Sequence, residues 1–308
     1  MVYKKNNSIS KKMLAAAKKA RHFLPRESVE AIAAFVTGKI NADGGFRGRS
    51  TESDLYYTLF GMECLQVLGR PLPNEQLAEY LRQFKDGEGL DFVHLTCLAR
   101  SLAKLHKKFK DEKAGRTILK QLEQYRSDSG GYRLTKEAQH ESIYAAFLAL
   151  LVYEDMCVRL PNPDNLLQSI KELKTPDGVY ADQLSVLTGT TTVTAAAAVI
   201  LSYLKEPVDN SLINWLLSRH SKYGGFKATI NAPLPDLLST ASALFALNII
   251  ENVVDKIIEP TLTFIEDMWN DNGGFCGNIL DETSDCEYTF YGLLSLGILE
   301  GDTKVAKQ

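Results

Sequence analysis

The sequence offers few of the usual handles on function. Its 308 residues carry 35 Lys and Arg against 38 Asp and Glu, a net charge of −3. A protein so nearly neutral has no basic field to gather nucleic acid. No apolar run nears the roughly 18 to 20 residues that a membrane span needs. The five cysteines, Cys64, Cys97, Cys157, Cys276 and Cys286, show neither CxxC nor Cys/His spacing. They read as free thiols in a reducing compartment, and a cytoplasmic protein is expected. Gly-x-Ser-x-Gly, P-loop, dinucleotide and HExxH signatures are all missing. There are two tryptophans, and no strand-like alternation long enough for a sheet.

What the chain does have is a repeat. Gly44-Gly45-Phe46 leads through a polar loop to Asp54 and an apolar run, LYYTLFGMECLQVLG. Gly130-Gly131-Tyr132 leads likewise to Glu141, Gly224-Gly225-Phe226 to Asp236, and Gly273-Gly274-Phe275 to Asp285. Weaker copies precede Asp91 and Thr190, so the turns recur at intervals of 43 to 49 residues. Six copies of one supersecondary unit fix the architecture. Segments before each turn are amphipathic; segments after it are apolar nearly all round and must be buried on every side. Twelve helices in six pairs, half of them fully buried, predict an all-α closed double ring, an (α/α)6 toroid, with the buried helices inside. The last unit is as apolar as the others, unlike the polar cap of an open solenoid.

The ring is expected over residues 28–303, after an N-terminal extension of 1–27 and before a tail of 304–308. Residues 1–21 hold seven Lys and Arg and no acid. Ile9, Met13, Ala16, Ala20 and Leu24 keep a helical period there, opposite Lys11, Lys12, Lys18 and Lys19. Such a basic amphipathic helix either packs on the body or makes peripheral contact with an anionic membrane.

Each Gly-Gly supplies a sharp turn, and each acid stands where a helix cap belongs. All inner helices of an alternating ring begin on one rim, so that rim collects Asp54, Asp91, Glu141, Asp236 and Asp285 with the Gly loops. Arg47, Arg133 and Lys227 follow the turn aromatics directly. Basic residues beside helix N-termini suit an anionic head group. His94 and His140 are rim histidines able to act near neutral pH.

Gly-Gly-Phe/Tyr, a loop, then Asp-x-x-x-Thr at Asp54/Thr58, Asp236/Thr240 and Asp285/Thr289 resembles the prenyltransferase repeat. That repeat belongs to protein prenyltransferase β subunits and, in degenerate form, to squalene and terpene cyclases. The resemblance implies an apolar central cavity that receives an isoprenoid chain, and it raises a helical partner subunit. GGFRGR with DLYYT resembles the family's GGFxGR and DxCYS, which implies diphosphate contacts for Arg49 and Tyr57. The family's zinc ligands, an Asp-x-Cys and a His, are replaced by Asp236-Leu237-Leu238 and Tyr288. An echo of them, Asp54, Tyr56 and His94, is expected to sit together on adjacent inner helices. Zinc or magnesium would need ligands that the sequence does not supply in full, so no metal residue is assigned. The cyclases' Asp-x-Asp-Asp and Asp-Asp-x-x-Asp motifs are absent too.

The expected function is therefore binding of a prenyl diphosphate or similar amphiphile, with transfer or cyclisation if the protein is catalytic. Asp54, Asp236, Asp285 and His94 are the candidate acids. Arg47, Arg49, Arg133 and Lys227 would hold the anion, and Tyr56, Tyr57 and Tyr288 would contact substrate. A non-catalytic toroid kept as a binding or scaffold protein is the alternative, and a carbohydrate-active toroid with two rim carboxylates is a third reading.

Overall fold

Most inner helices of this chain begin where a short polar side chain accepts the first free backbone N–H groups. Asp54 accepts from Tyr56 and Tyr57, Asp91 from His94, Ser142 from Ala145, and Asp236 from Ser239. The computed structural model describes residues 8–109, 112–182, 188–250 and 257–303. The six inner helices are α3 (Leu55–Val67), α5 (Phe92–Lys104), α7 (Ile143–Asp155), α9 (Thr191–Tyr203), α11 (Leu237–Ile249) and α13 (Cys286–Thr303). The outer helices are α2 (Arg26–Thr37), α4 (Asn74–Arg82), α6 (Glu112–Glu123), α8 (Pro163–Glu172), α10 (Asn210–Leu217) and α12 (Ile258–Asp267). An N-terminal helix, α1 (Ile9–Ala20), completes thirteen α-helices among the described residues.

The ring closes. Each inner helix packs on the next in chain order, and α13 packs back on α3. Closure is visible in the outer layer as well. A Cβ at Gly273, in the last turn, would lie 2.5 Å from the carbonyl oxygen of Ala31 on α2. Gly273 also has φ +88, so the last turn needs glycine for its conformation and for its contact with the first outer helix. Gly44 does the same against Gln76 of α4, with φ +91.

The Asp-x-x-x-Thr pattern has a simple structural reason. The turn aromatics Phe46, Phe226 and Phe275 are buried. Their backbone N–H groups donate to Thr58, Thr240 and Thr289 at 2.9, 2.9 and 3.2 Å. The threonine therefore ties the turn of its own repeat to the first turn of its inner helix. The first repeat adds a two-residue antiparallel ribbon, β1 (Phe46–Arg47) with β2 (Ser53–Asp54).

The third inner-helix start differs from the expected one. Ser142, not Glu141, caps α7, and Glu141 turns back to the hydroxyls of Ser127 and Ser129. Asp182, from the following loop, accepts from Ser142 Oγ and from the N–H of Tyr144. Two residues share the work that one carboxylate does elsewhere.

Helix α1 lies against the C-terminal ends of α3, α7 and α13. Its N-terminus is held by Glu154, which accepts from the N–H groups of Ile9 and Ser10 at 2.9 Å and from Ser8 Oγ at 3.1 Å. A carboxylate at a helix N-terminus complements its positive end. Ile9, Ala16, Ala17 and Ala20 are buried, so the apolar stripe is spent inside the protein, while Lys11 and Lys19 stay exposed. Contact is closest at Gly297 of α13, where a Cβ would lie 2.0 Å from the Ala16 carbonyl oxygen. Gly297→Ala should therefore cost about 1–3 kcal/mol and loosen α1. Urea denaturation with a hydrophobic dye reports both; an unchanged midpoint would show that α1 docks without this contact. No helix among the described residues is long and apolar enough to cross a membrane.

Candidate functional site

Counting from the cap of each inner helix organises the interior. The second residue after each cap lines one cavity: Tyr56, Val93, Tyr144, Thr192, Leu238 and Glu287. So does the sixth: Phe60, Cys97, Leu148, Ala196, Ser242 and Tyr291. The ninth adds Glu63, Arg100, Leu151, Val199, Phe245 and Leu294. Steps of four and three residues keep to one helix face, so these are three stacked tiers of six. At 1.5 Å per residue the first and third tiers are about 10 Å apart. Met13 of α1 also lines the cavity.

The cavity has a volume of about 340 Å³. The small residues Thr192, Ala195, Ala196, Ala241 and Ser242 line it on the side of α9 and α11. Across from them Phe60 meets Tyr56, Phe290 and Tyr291, with ring centroids 5.0 to 5.8 Å apart.

Glu287 is the sole acid of the upper tier. Its Oε1 accepts a hydrogen bond from Tyr56 Oη at 2.6 Å. Burial raises its pKa to about 7; the Tyr56 hydrogen bond and the Arg49 charge work against the rise, and the Asp285 charge adds to it. Tyr56 is raised as well, by burial first and by the charge and ring neighbours around it. At neutral pH the pair can hold or release a proton beside the apolar space.

Of the candidate acids, anion-holding groups and substrate-contacting tyrosines expected from sequence, only Tyr56 lines this cavity. Asp54 and His94 do meet, at 3.1 Å from Nε2 to Oδ2, and His94 Nδ1 reaches Asp91 at 2.7 Å. The imidazole thus joins the caps of α3 and α5. The hydrogen bond to Asp54 raises its pKa to about 9, with Asp91 adding to the rise and burial opposing it. Burial works against ionisation of Asp54 and Asp91, yet the histidine and the backbone N–H groups hold both below the ordinary carboxylate value.

This clamp gives a pH prediction. A histidine raised in the folded state contributes fully below its unfolded pKa of roughly 6.5, and the contribution fades as pH climbs through about 9. The depressed aspartates fail at the other end, as pH falls through their folded values. With 34% of each side chain exposed at the His94–Asp54 pair, screening leaves about 1 kcal/mol. His94→Gln should cost about that much at pH 6 and only tenths at pH 10. Equal losses at both pH values in denaturant titrations would mean that the clamp is not ionic.

Asp236 is occupied by Ser239, accepting from its N–H and its hydroxyl at 2.7 Å each, and burial raises its pKa. Asp285 is fully buried, accepts from the N–H of Tyr288 at 2.9 Å, and is likewise raised by burial. Arg49 bonds Asp281 at 2.7 Å and Asp285 at 3.3 Å, and lies over the ring of Tyr288. Two carboxylates therefore answer its charge. Tyr57 sits beneath Gly48, whose missing Cβ would overlap its ring. Arg47 donates to Asn41 Oδ1 at 3.2 Å, and Arg133 to the Lys136 carbonyl at 3.5 Å. The carbonyl of Lys227 accepts from Thr191 Oγ1.

The residues do not fit the zinc ion of the protein prenyltransferases. Leu238 offers no ligand atom, Tyr288 stands in place of histidine, and Asp236 is taken by Ser239. In the first repeat Tyr56 is turned to Glu287, away from Asp54 and His94. Among the described residues no group of three His, Cys, Asp or Glu is arranged for a metal ion.

Glu287, Glu63, Arg100 and Asp182 line the cavity and are not among the site residues expected from sequence. The signal that finds Glu287, Glu63 and Arg100 is their distance from the cap, once repeats are counted from that residue; Asp182 lies in a loop and has no such signal.

Several solved structures share the fold. The type II terpene cyclase MstE from Scytonema, in complex with merosterolic acid A, aligns with TM-score 0.61 and 13% identity over 97% of this chain and 98% of its own. Protein geranylgeranyltransferase-I of Candida albicans, complexed with GGPP, gives 0.50 and 16% over 94% and 83%. An α-1,6-mannanase of Salegentibacter gives 0.57 and 11% over 88% and 97%. At these identities the likeness is one of fold alone. No curated protein matches the sequence. Matched by the family over residues 10–95, 88–206 and 191–308, the chain belongs to the prenyltransferase alpha-alpha toroid domain family.

Proposed function

We propose that this toroid binds an isoprenoid or similar amphiphile in its central cavity and rearranges it by proton transfer at Glu287. The observation that carries this reading is the single acid in the upper tier, hydrogen-bonded by Tyr56 and facing apolar walls. A pocket of about 340 Å³ lies in the range of small-ligand sites. At roughly 30 Å³ per water-sized group it takes about eleven heavy atoms, which suits a ten-carbon chain.

Proton transfer balances without an oxidant. The neutral acid breaks its O–H bond as a C–H bond forms at an alkene carbon, leaving a carbocation and the Glu287 carboxylate. The carboxylate then takes a proton from a neighbouring carbon, so the net change is isomerisation or ring closure. Phe60, Phe245 and Tyr291 line the space where positive charge would pass. Arg47, Arg133 and Lys227 make no ion pair among the described residues and are the groups to meet an anionic head at the rim. Ile230, Ile279 and Leu280 stand exposed on the loops leading into α11 and α13, an apolar approach for such a molecule. The exposed Lys11 and Lys19 support electrostatic contact with anionic lipid at the opposite face.

The walls carry no tryptophan, since Trp215 lies in α10 and Trp269 follows α12, which argues against sugar stacking. Calorimetry with prenyl alcohols and diphosphates of about ten, fifteen and twenty carbons, with product analysis, tests the reading. Binding of the shortest chains with rearranged product supports it. Binding without product leaves a carrier, and no binding at tens of micromolar removes the reading altogether.

A further inference from the structure

The lower tier is not apolar all round. Leu151, Val199, Phe245 and Leu294 occupy it in four repeats, but Glu63 of α3 and Arg100 of α5 occupy it in the other two. Both are almost completely buried, at 4% and 5% exposure. Arg100 donates from Nη2 to Glu63 Oε1 at 2.8 Å and from Nε to Asp155 Oδ2 at 2.9 Å. Lys104 Nζ lies 3.1 Å from the same Glu63 oxygen. Asp155 also accepts from Ser10 Oγ of α1. Two acids and two bases thus form a neutral, closely paired group.

Stability does not explain it. Burying four charges carries a desolvation cost that apolar residues of similar size avoid, and four other repeats take that course at this very level. Anchoring α1 accounts for Asp155, which bonds Ser10, and for Glu154 beside it, but not for Glu63 and Arg100, whose hydrogen bonds and ion pairs go to other helices. Glu63 and Arg100 line the cavity. Arg100 Nη1 and Glu63 Oε2 make no hydrogen bond among the described residues. Each of these two lining residues thus keeps one polar atom, a donor on Arg100 and an acceptor on Glu63, for a group in an otherwise apolar space.

We infer that Glu63 and Arg100 form a second polar subsite, which receives a hydroxyl group at the far end of the bound chain. The inference rests on the isoprenoid reading of the cavity and adds the substrate class: an amphiphile oxygenated at both ends. A hydroxyl matches the pair, donating to Glu63 Oε2 and accepting from Arg100 Nη1. The group is neutral already, so a carboxylate there would add an unbalanced buried charge. The separation of about 10 Å between the tiers sets the distance from the upper acid to this end.

The test is calorimetry on the full chain with three probes: a ten-carbon prenyl alcohol, its ω-hydroxyl derivative and its ω-carboxylate. The hydroxyl derivative should bind at least tenfold tighter than the plain alcohol, and the carboxylate more weakly than the hydroxyl compound. Glu63→Gln should reduce the tenfold preference to below threefold while leaving the plain alcohol within twofold of wild type. Equal wild-type affinity for alcohol and diol overturns the subsite and leaves the isoprenoid reading standing. No binding of any probe overturns both. A Glu63→Gln protein that loses both ligands equally shows a structural role and overturns the subsite as well. The wild-type comparison needs no variant, so it decides the question even where Glu63→Gln does not fold.

Discussion

Replacing Glu287 by glutamine should stop turnover and make the protein more stable above neutral pH. Glutamine keeps an acceptor for the Tyr56 hydroxyl and nearly the same volume, but it has no proton to move. General acid–base groups contribute about 10²- to 10⁴-fold, and a loss of that size is expected in product formation while ligand binding stays within a few fold. The stability change follows from linkage. The carboxyl is raised from 4.5 to about 7 in the folded protein, so the folded state binds more protons than the unfolded chain across that interval. Stability of the wild type therefore falls as pH rises from about 4.5 to 7, and the loss persists above it. Glu287 is only partly buried, and discounting for screening leaves about 1–2 kcal/mol at pH 8. The variant should show no such fall. Melting temperatures at pH 5 and pH 8, with product analysis, check both halves. A variant that keeps its turnover removes Glu287 from the chemistry. One that is destabilised at both pH values shows the carboxyl to be a packing group.

Why Glu287 escaped sequence reading is a matter of helix geometry. The inner helices are apolar on the side toward the outer ring and on the side toward the axis, so periodicity marks neither face as special. The ring itself was legible, because Gly-Gly-aromatic turns and cap acids repeat at nearly constant spacing. The reason for Asp-x-x-x-Thr was not, since it depends on the N–H of a turn residue twelve to fourteen positions away. The expected trio of Asp54, Tyr56 and His94 shows the difficulty best. Asp54 is a cap and His94 is the third residue after one, and both stay at the rim and meet. Tyr56 is the second residue after its cap, which turns it about 100° from the third and into the cavity. There it finds Glu287, which holds the same place in the last repeat. Neighbours in the sequence parted, and equivalent positions of the first and last repeats met. Glu141 illustrates a second limit, because an acid and a serine in adjacent positions compete to cap one helix and sequence does not say which succeeds.

Ala196→Phe should abolish binding with little effect on folding. Ala196 lies in the middle tier on the side of small residues, and it is only partly buried. Its Cβ borders empty space instead of packed neighbours. A benzyl group there adds a six-carbon ring to a space of about eleven heavy atoms. Overpacking a filled core costs about 1–3 kcal/mol, but this ring enters a void, so the denaturation midpoint should move little or rise. The expected loss in affinity for a ten-carbon chain is at least about a hundredfold, near 2.7 kcal/mol. Phe60→Ala is the counterpart from the opposite wall. Phe60 is 8% exposed and touches three aromatic rings, so its removal should cost about 3–5 kcal/mol and enlarge the room. A fifteen-carbon chain should then gain on a ten-carbon chain. Calorimetry with both chain lengths on both variants separates the possibilities. If Ala196→Phe binds as tightly as wild type, the ligand does not lie on the ring axis, and an acid at the top of that axis has nothing to act on. If both variants shift the length preference in opposite directions, the small-residue wall and the aromatic wall are the two jaws that set it.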